Sequence, residues 1–232
     1  MLKGSQKEEL RKIGNEKSVM SRLSSHKRHV GKHILSITIA VILSGCGAAL
    51  MIKAQLGINA YDALTVSFSE LYDLHIGTVS MIMNFMFFLF QLLLLRNKTE
   101  WERFLQIPLL LVLGTAINFM TYDILAGIII SSYVEKLTLF FTGLLLCGIS
   151  CAVLMKYNIG FPLESFCLVI SQKYDLQFSR LRQILDILCI MLVLIFFILY
   201  STTMEIREGT LISMILFGPV IETVLRHIAA SY

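Results

Sequence analysis

The apolar part of this chain is written twice, the copies lying about 102 to 104 residues apart, and this constrains the fold more than any other feature. Met51-Ile-Lys-Ala-Gln-Leu-Gly57 recurs as Leu154-Met-Lys-Tyr-Asn-Ile-Gly160, so each copy carries an apolar run into a lysine and then a glycine. Ser69 and Tyr72-Asp73-Leu74 reappear as Ser171 and Tyr174-Asp175-Leu176. Leu113-Gly114 with Ile117-Asn118 returns as Phe217-Gly218 with Ile221-Glu222.

Apolar residues make up 56% of the chain and charged residues only 16%, a balance that places it in a bilayer. Six stretches are long and apolar enough to cross the hydrocarbon core: 34–52, 76–95, 104–122, 137–155, 181–200 and 209–225. The expected fold is therefore an all-α membrane protein of six transmembrane helices. The first three form one repeat (34–122) and the last three another (137–228), joined by a connector at 123–136.

Residues 1–33 differ. They hold nine Lys/Arg against three acids, a charge of +6, whereas the remaining eleven Lys/Arg and thirteen acids give −2. The arm is expected to be disordered, cytoplasmic and attracted to anionic headgroups. No aromatic interleaving accompanies the charge, so nucleic acid is not an expected partner. Leu43-Ser44-Gly45-Cys46 spells a lipobox, but the sequence stays apolar through Ile52, and the first span is expected to be retained. The five cysteines, at 46, 147, 151, 167 and 189, lie in apolar stretches and read as small packing residues rather than metal ligands.

Lys/Arg-rich and Lys/Arg-poor segments alternate between the spans. The arm, 96–103 and 156–182 are rich; 53–75, 123–136 and 201–208 are poor. Rich segments go inside, so both termini are expected in the cytoplasm of a multi-pass protein. Three spans per copy is an odd number, so the second copy enters from the opposite side and the repeats are inverted, a recurrent plan of secondary transporters.

The segments that follow the repeated glycines, 58–74 and 161–176, are too short on apolar character to span. Each is expected to form a short re-entrant or amphipathic helix. Gly57 and Gly160 permit the turn into it, and Pro162 suits its first turn. Aligning the repeats sets Asp62 opposite Glu164, Asn84 opposite Asp186 and Asn118 opposite Glu222. Polar groups at membrane depth are costly and mark pathways, so these six are the candidate solute or ion pathway. A structural reading stands beside it: the asparagines as interhelical hydrogen-bonding groups, Asp186 as partner of Arg182, and Glu222 as partner of Arg226, each pair four residues apart. Gly218-Pro219 is expected to interrupt the last span. No His-Glu-x-x-His or Gly-x-Ser-x-Gly is present, so neither catalytic residues nor a metal or cofactor is expected.

Gly47-Ala-Ala-Leu-Met-Ile-Lys-Ala-Gln-Leu-Gly57 with Tyr61-Asp62 resembles the bacterial YczE-type integral membrane proteins, which are similar to the broader YitT group. Ile76-Gly77-Thr78 with Asn84, Arg182 with Asp186, Gly209-Thr210 and Gly218-Pro219 carry the same likeness. It covers roughly residues 34–228. Ala60 and Tyr61 stand where such proteins tend to carry proline and tryptophan, and Ser201 to Glu208 replaces a glycine-rich approach. The resemblance implies a bacterial cytoplasmic membrane location and no substrate. Two functions remain open from the sequence: a small-solute or ion-coupled permease with a midplane site between inverted repeats, and a non-transporting accessory or scaffold protein acting through partner contacts.

Overall fold

The apolar runs become helices because a chain without water around it must pair its own N–H and C=O groups within each segment. A computed structural model describes residues 34–95, 101–157 and 159–230, and the basic arm 1–33 lies outside them. Among the described residues there are eight α-helices and no strands: α1 (Ile34–Ala54), α2 (Ala60–Tyr72), α3 (Ile76–Leu95), α4 (Gln106–Asn118), α5 (Tyr133–Lys156), α6 (Pro162–Tyr174), α7 (Phe178–Tyr200) and α8 (Glu208–Ala230). A 3₁₀ turn, Trp101–Leu105, leads into α4, and a π-helical turn, Phe119–Ile124, extends it.

Among the described residues, six spans are long and apolar enough to cross a membrane: Ile34–Ala54, Ile76–Leu95, Arg103–Ile124, Tyr133–Lys156, Arg180–Tyr200 and Glu208–His227. Each lies within a few residues of its expected place. The largest difference is at α5, which begins at Tyr133 inside the expected connector. There the Ser132 N–H donates to Glu135 Oε2 at 3.4 Å, a cap just before the apolar run. Large apolar side chains face outward, with Leu93, Ile198 and Ile215 each more than two-thirds exposed. That suits a surface solvated by lipid.

The helix pairings are reciprocal. α1 and α5 cross at the centre; α1 also packs on α4, and α5 on α8. α2 packs on α7 while α6 packs on α3. Small residues let α1 and α5 approach: a Cβ on Gly47 would lie 2.7 Å from the Gly143 carbonyl, and one on Gly143 would lie 2.5 Å from that of Gly47. Nearby, the Cys147 thiol donates to the Ser44 carbonyl at 3.5 Å.

The correspondence fails at one place. α3 and α4 are clamped together, since a Cβ on Gly77 would lie 2.0 Å from the Gly114 carbonyl. α7 and α8 scarcely touch, and Gly218, which the sequence sets opposite Gly114, has open space around it. α8 also runs unbroken through Pro219, contrary to the interruption expected there. Proline removes one donor, but apolar surroundings offer the neighbouring peptides no better partners than their helical ones.

Candidate functional site

The two short helices build the site. α1 ends at Ala54, after which Gln55 (φ +53°) and Gly57 (φ +98°) turn the chain. Asn59 then caps α2: its Oδ1 accepts from the Asp62 N–H at 3.0 Å, and its Nδ2 donates to Asp62 Oδ2. In the second half, Pro162 opens α6 as expected, its missing N–H falling where a helix has no partner for one. Asp62 and Glu164 are therefore each the third residue of a helix, where the macrodipole favours an acid. Both helices end alike. Asp73 and Asp175 adopt left-handed backbone (φ 51° and 52°), and Ser69 and Ser171 donate through Oγ to the carbonyls of Leu74 and Leu176.

With 13 residues, α2 and α6 are each about 20 Å long, short of the ~30 Å hydrocarbon core. Their N-terminal ends meet around a cavity of about 60 Å³, lined in part by Asn59, Tyr61, Asp62, Asn84, Glu164 and Arg182. All six spans also reach it, five of them through Ser44, Asn84, Leu113, Cys147 and Phe217 and the sixth, Arg180–Tyr200, through Arg182 near its start. Each of those five lies within about three residues of the middle of its span, or roughly 4.5 Å along the axis. The cavity therefore lies near the middle of five spans and near the start of the sixth.

Arg182 organises the second-half side. Its Nη1 donates to Glu164 Oε1 at 3.1 Å, and its Nη2 stands 3.4 Å from Asp186 Oδ1, with all three side chains largely buried. The i,i+4 pairing with Asp186 was legible in the sequence, whereas the contact with Glu164, on another helix, was not. Asn84 donates through Nδ2 to Ser80 O at 2.9 Å and lines the cavity.

The third aligned pair does not join the cavity. Asn118 Oδ1 accepts from the Gly77 N–H at 2.7 Å and Nδ2 donates to Thr78 Oγ1 at 3.3 Å, so this residue secures the α3/α4 approach. Glu222 is 63% exposed by its side chain and pairs with Arg226 at 2.5 Å, the structural alternative for that residue. It stands apart because α8 does not close on α7 as α4 does on α3. Gly218 and Pro219 likewise make no part of the cavity lining. Sequence reasoning missed Asn59, although Asn59-x-x-Asp62 spells a capping pattern, and missed Tyr61 and Ser44 because nothing local marks them.

The profile of a family of unknown function, DUF6198, matches residues 31–226. The uncharacterized protein YyaS of Bacillus subtilis (strain 168) is 25% identical over 151 residues, which cover 61% of this chain and 71% of that protein. No solved structure matches the chain.

Proposed function

The chain belongs to the DUF6198 family of unknown function, and from that premise we propose that it is a small-solute or ion-coupled permease of the bacterial cytoplasmic membrane. One observation carries the reading: two half-length helices place their acid-bearing N-termini on one cavity of mixed lining, near the middle of five of the six spans. Ionisable side chains at that depth are costly unless they serve a wet path or a bound solute.

The reciprocal pairings of α1/α4 with α5/α8, and of α2/α7 with α6/α3, support an inverted repeat with α2 and α6 as re-entrant helices. The alternating charge count orients it with both termini in the cytoplasm. The likeness to YczE-type proteins over roughly 34–228 belongs to the same proposal. In this scheme the clamped α3/α4 pair is the rigid side, and the loosely joined α7 and α8 move to open the cavity to one face and then the other.

Reconstitution in proteoliposomes tests the reading. Flux of a small solute or ion, carried by the native chain and abolished by Asp62→Asn, is the expected result. Folded native protein that moves nothing across a panel of inorganic ions, amines and small metabolites overturns it and favours the accessory role.

A further inference from the structure

Resting on the permease reading of the same cavity, we infer that its occupant is a small monovalent cation of alkali-metal or ammonium type, with Asp62 as its counter-charge. The charge count points this way. Asp62, Glu164 and Arg182 line the cavity, and Arg182 also pairs with Asp186 beyond the lining, so three acids accompany one guanidinium and the group is formally −2 when all are ionised. Arg182 directs one nitrogen to Glu164 and the other to Asp186. Among the described residues, the Asp62 side chain is hydrogen-bonded by Asn59, a neutral amide, and it sits at the N-terminal end of α2. A half-charge of dipole and one amide do not match a half-buried carboxylate, which favours a full positive charge beside it.

The neighbouring atoms are oxygens suited to that charge. Ser80 O can only accept, so the Asn84 atom 2.9 Å from it is the NH₂ group. Asn84 Oδ1 is thereby turned away as a free acceptor. Tyr61 lines the same space, is 7% exposed, and carries a buried hydroxyl with no hydrogen-bond partner among the described residues. Ser44 and Ser80 add hydroxyl-bearing walls. One carboxylate with neutral oxygens is a hard, weakly charged donor set.

Size and ligand count narrow the class. A cavity of about 60 Å³ is sized for a small ion with a few waters rather than for a large solute. Among the described residues no three His, Cys, Asp or Glu side chains are grouped to hold a metal ion, which disfavours a divalent cation. The two carboxylates that line the cavity, Asp62 and Glu164, disfavour an anion.

The test uses the full chain in detergent, with thermal unfolding followed in NaCl, KCl or NH₄Cl against choline chloride at equal ionic strength. The expected result is a saturable rise in melting temperature for at least one of the three cations and none for choline. It should be at least tenfold weaker in apparent affinity, or lost, in Asp62→Asn, and kept in Glu222→Gln, whose side chain is remote from the cavity. Should Asp62→Asn fail to fold, Asn84→Ala decides, and unchanged affinity there overturns the inference. So does the absence of any cation-specific shift, or a shift that survives in Asp62→Asn. Saturable cation binding without flux in proteoliposomes sinks the permease reading and leaves the cation site standing. Flux with no cation-specific binding does the reverse.

Discussion

Gln106 donates through Nε2 to the carbonyl of Gly160 at 2.9 Å, tying the start of α4 to the turn that enters α6. The same side chain donates to Ser165 Oγ at 3.0 Å, and that hydroxyl returns to Gly160 O at 3.0 Å. On the other side, Thr210 near the start of α8 lies against Gly57, the turn that enters α2: a Cβ on Gly57 would be 2.8 Å from Thr210 Oγ1. The Gly209 N–H also donates to Leu56 O at 2.8 Å. Each half-helix is thus anchored by a span of the opposite half.

Gly57→Ala should therefore destabilise the protein. The residue sits at φ +98°, and its new methyl would also lie 2.9 Å from the Arg207 backbone nitrogen. Left-handed backbone alone costs an L-residue roughly 1–2 kcal/mol, and the contact adds to it. A lowered melting temperature in detergent is the expected outcome; an unchanged one would mean that the turn relaxes freely.

Arg182 should matter more to stability than either acid it serves. Removing it as Arg182→Met strands Glu164 and Asp186 together, at about 3–5 kcal/mol for a broken buried pair. Asp186→Asn leaves Arg182 still paired with Glu164 and should cost clearly less. The triple variant Arg182→Met, Glu164→Gln, Asp186→Asn should recover much of the loss. Equal melting temperatures for Arg182→Met and Asp186→Asn would contradict the shared-partner arrangement.

How much of this was legible in the sequence differs from element to element. The spans were, because runs such as 181–200 need no partner to declare themselves. The half-helices were also legible, through Gly57, Gly160 and Pro162. The partition of the polar residues was only half visible. Aligning the repeats treats Asn118 and Glu222 as equivalents, yet Asn118 reaches Gly77 because glycines bring α3 and α4 together, and Glu222 has no such neighbour. Packing between α7 and α8, not the local sequence, decides that difference. The Arg182–Glu164 contact was hidden for the same reason, being made between two helices.

Glu222→Asn should accordingly change little. Its pair with Arg226 is about two-thirds exposed at both ends, and such pairs contribute ~0–1 kcal/mol. Melting temperature and reconstituted flux should both stay near native values. A loss of flux in a folded variant would restore Glu222 to the pathway.

The loop between α7 and α8 should respond to pH through Glu205. Burial holds its carboxyl above the usual glutamate range and nearby Glu70 adds to this, while a hydrogen bond from Thr203 (Oγ1 to Oε1, 3.2 Å) and the charge of Arg207 oppose it. A raised folded-state value favours the protonated form, so its stabilising share is present below the ordinary value of 4.5. That share is lost as pH rises through the raised one. Hydrogen exchange over residues 201–207 should quicken across that window beyond its intrinsic pH dependence, and Glu205→Gln should remove the excess. An identical excess in the variant would assign the response to another group.

Orientation can be read at the two ends where the half-helices emerge. Asp73 and Asp175 occupy left-handed caps that aspartate tolerates better than cysteine, so the preceding Tyr72 and Tyr174, 63% and 58% exposed, are the better reporters. All five native cysteines lie buried or half-buried and can be replaced by serine or alanine to clear the background. With both termini in the cytoplasm and the repeats inverted, Tyr72→Cys should react with a membrane-impermeant maleimide on intact cells. Tyr174→Cys should react only after the membrane is opened. Labelling of both from the same face would make the repeats parallel. The reciprocal pairing of α2 with α7 and of α6 with α3 would then need an explanation other than a twofold axis in the membrane plane.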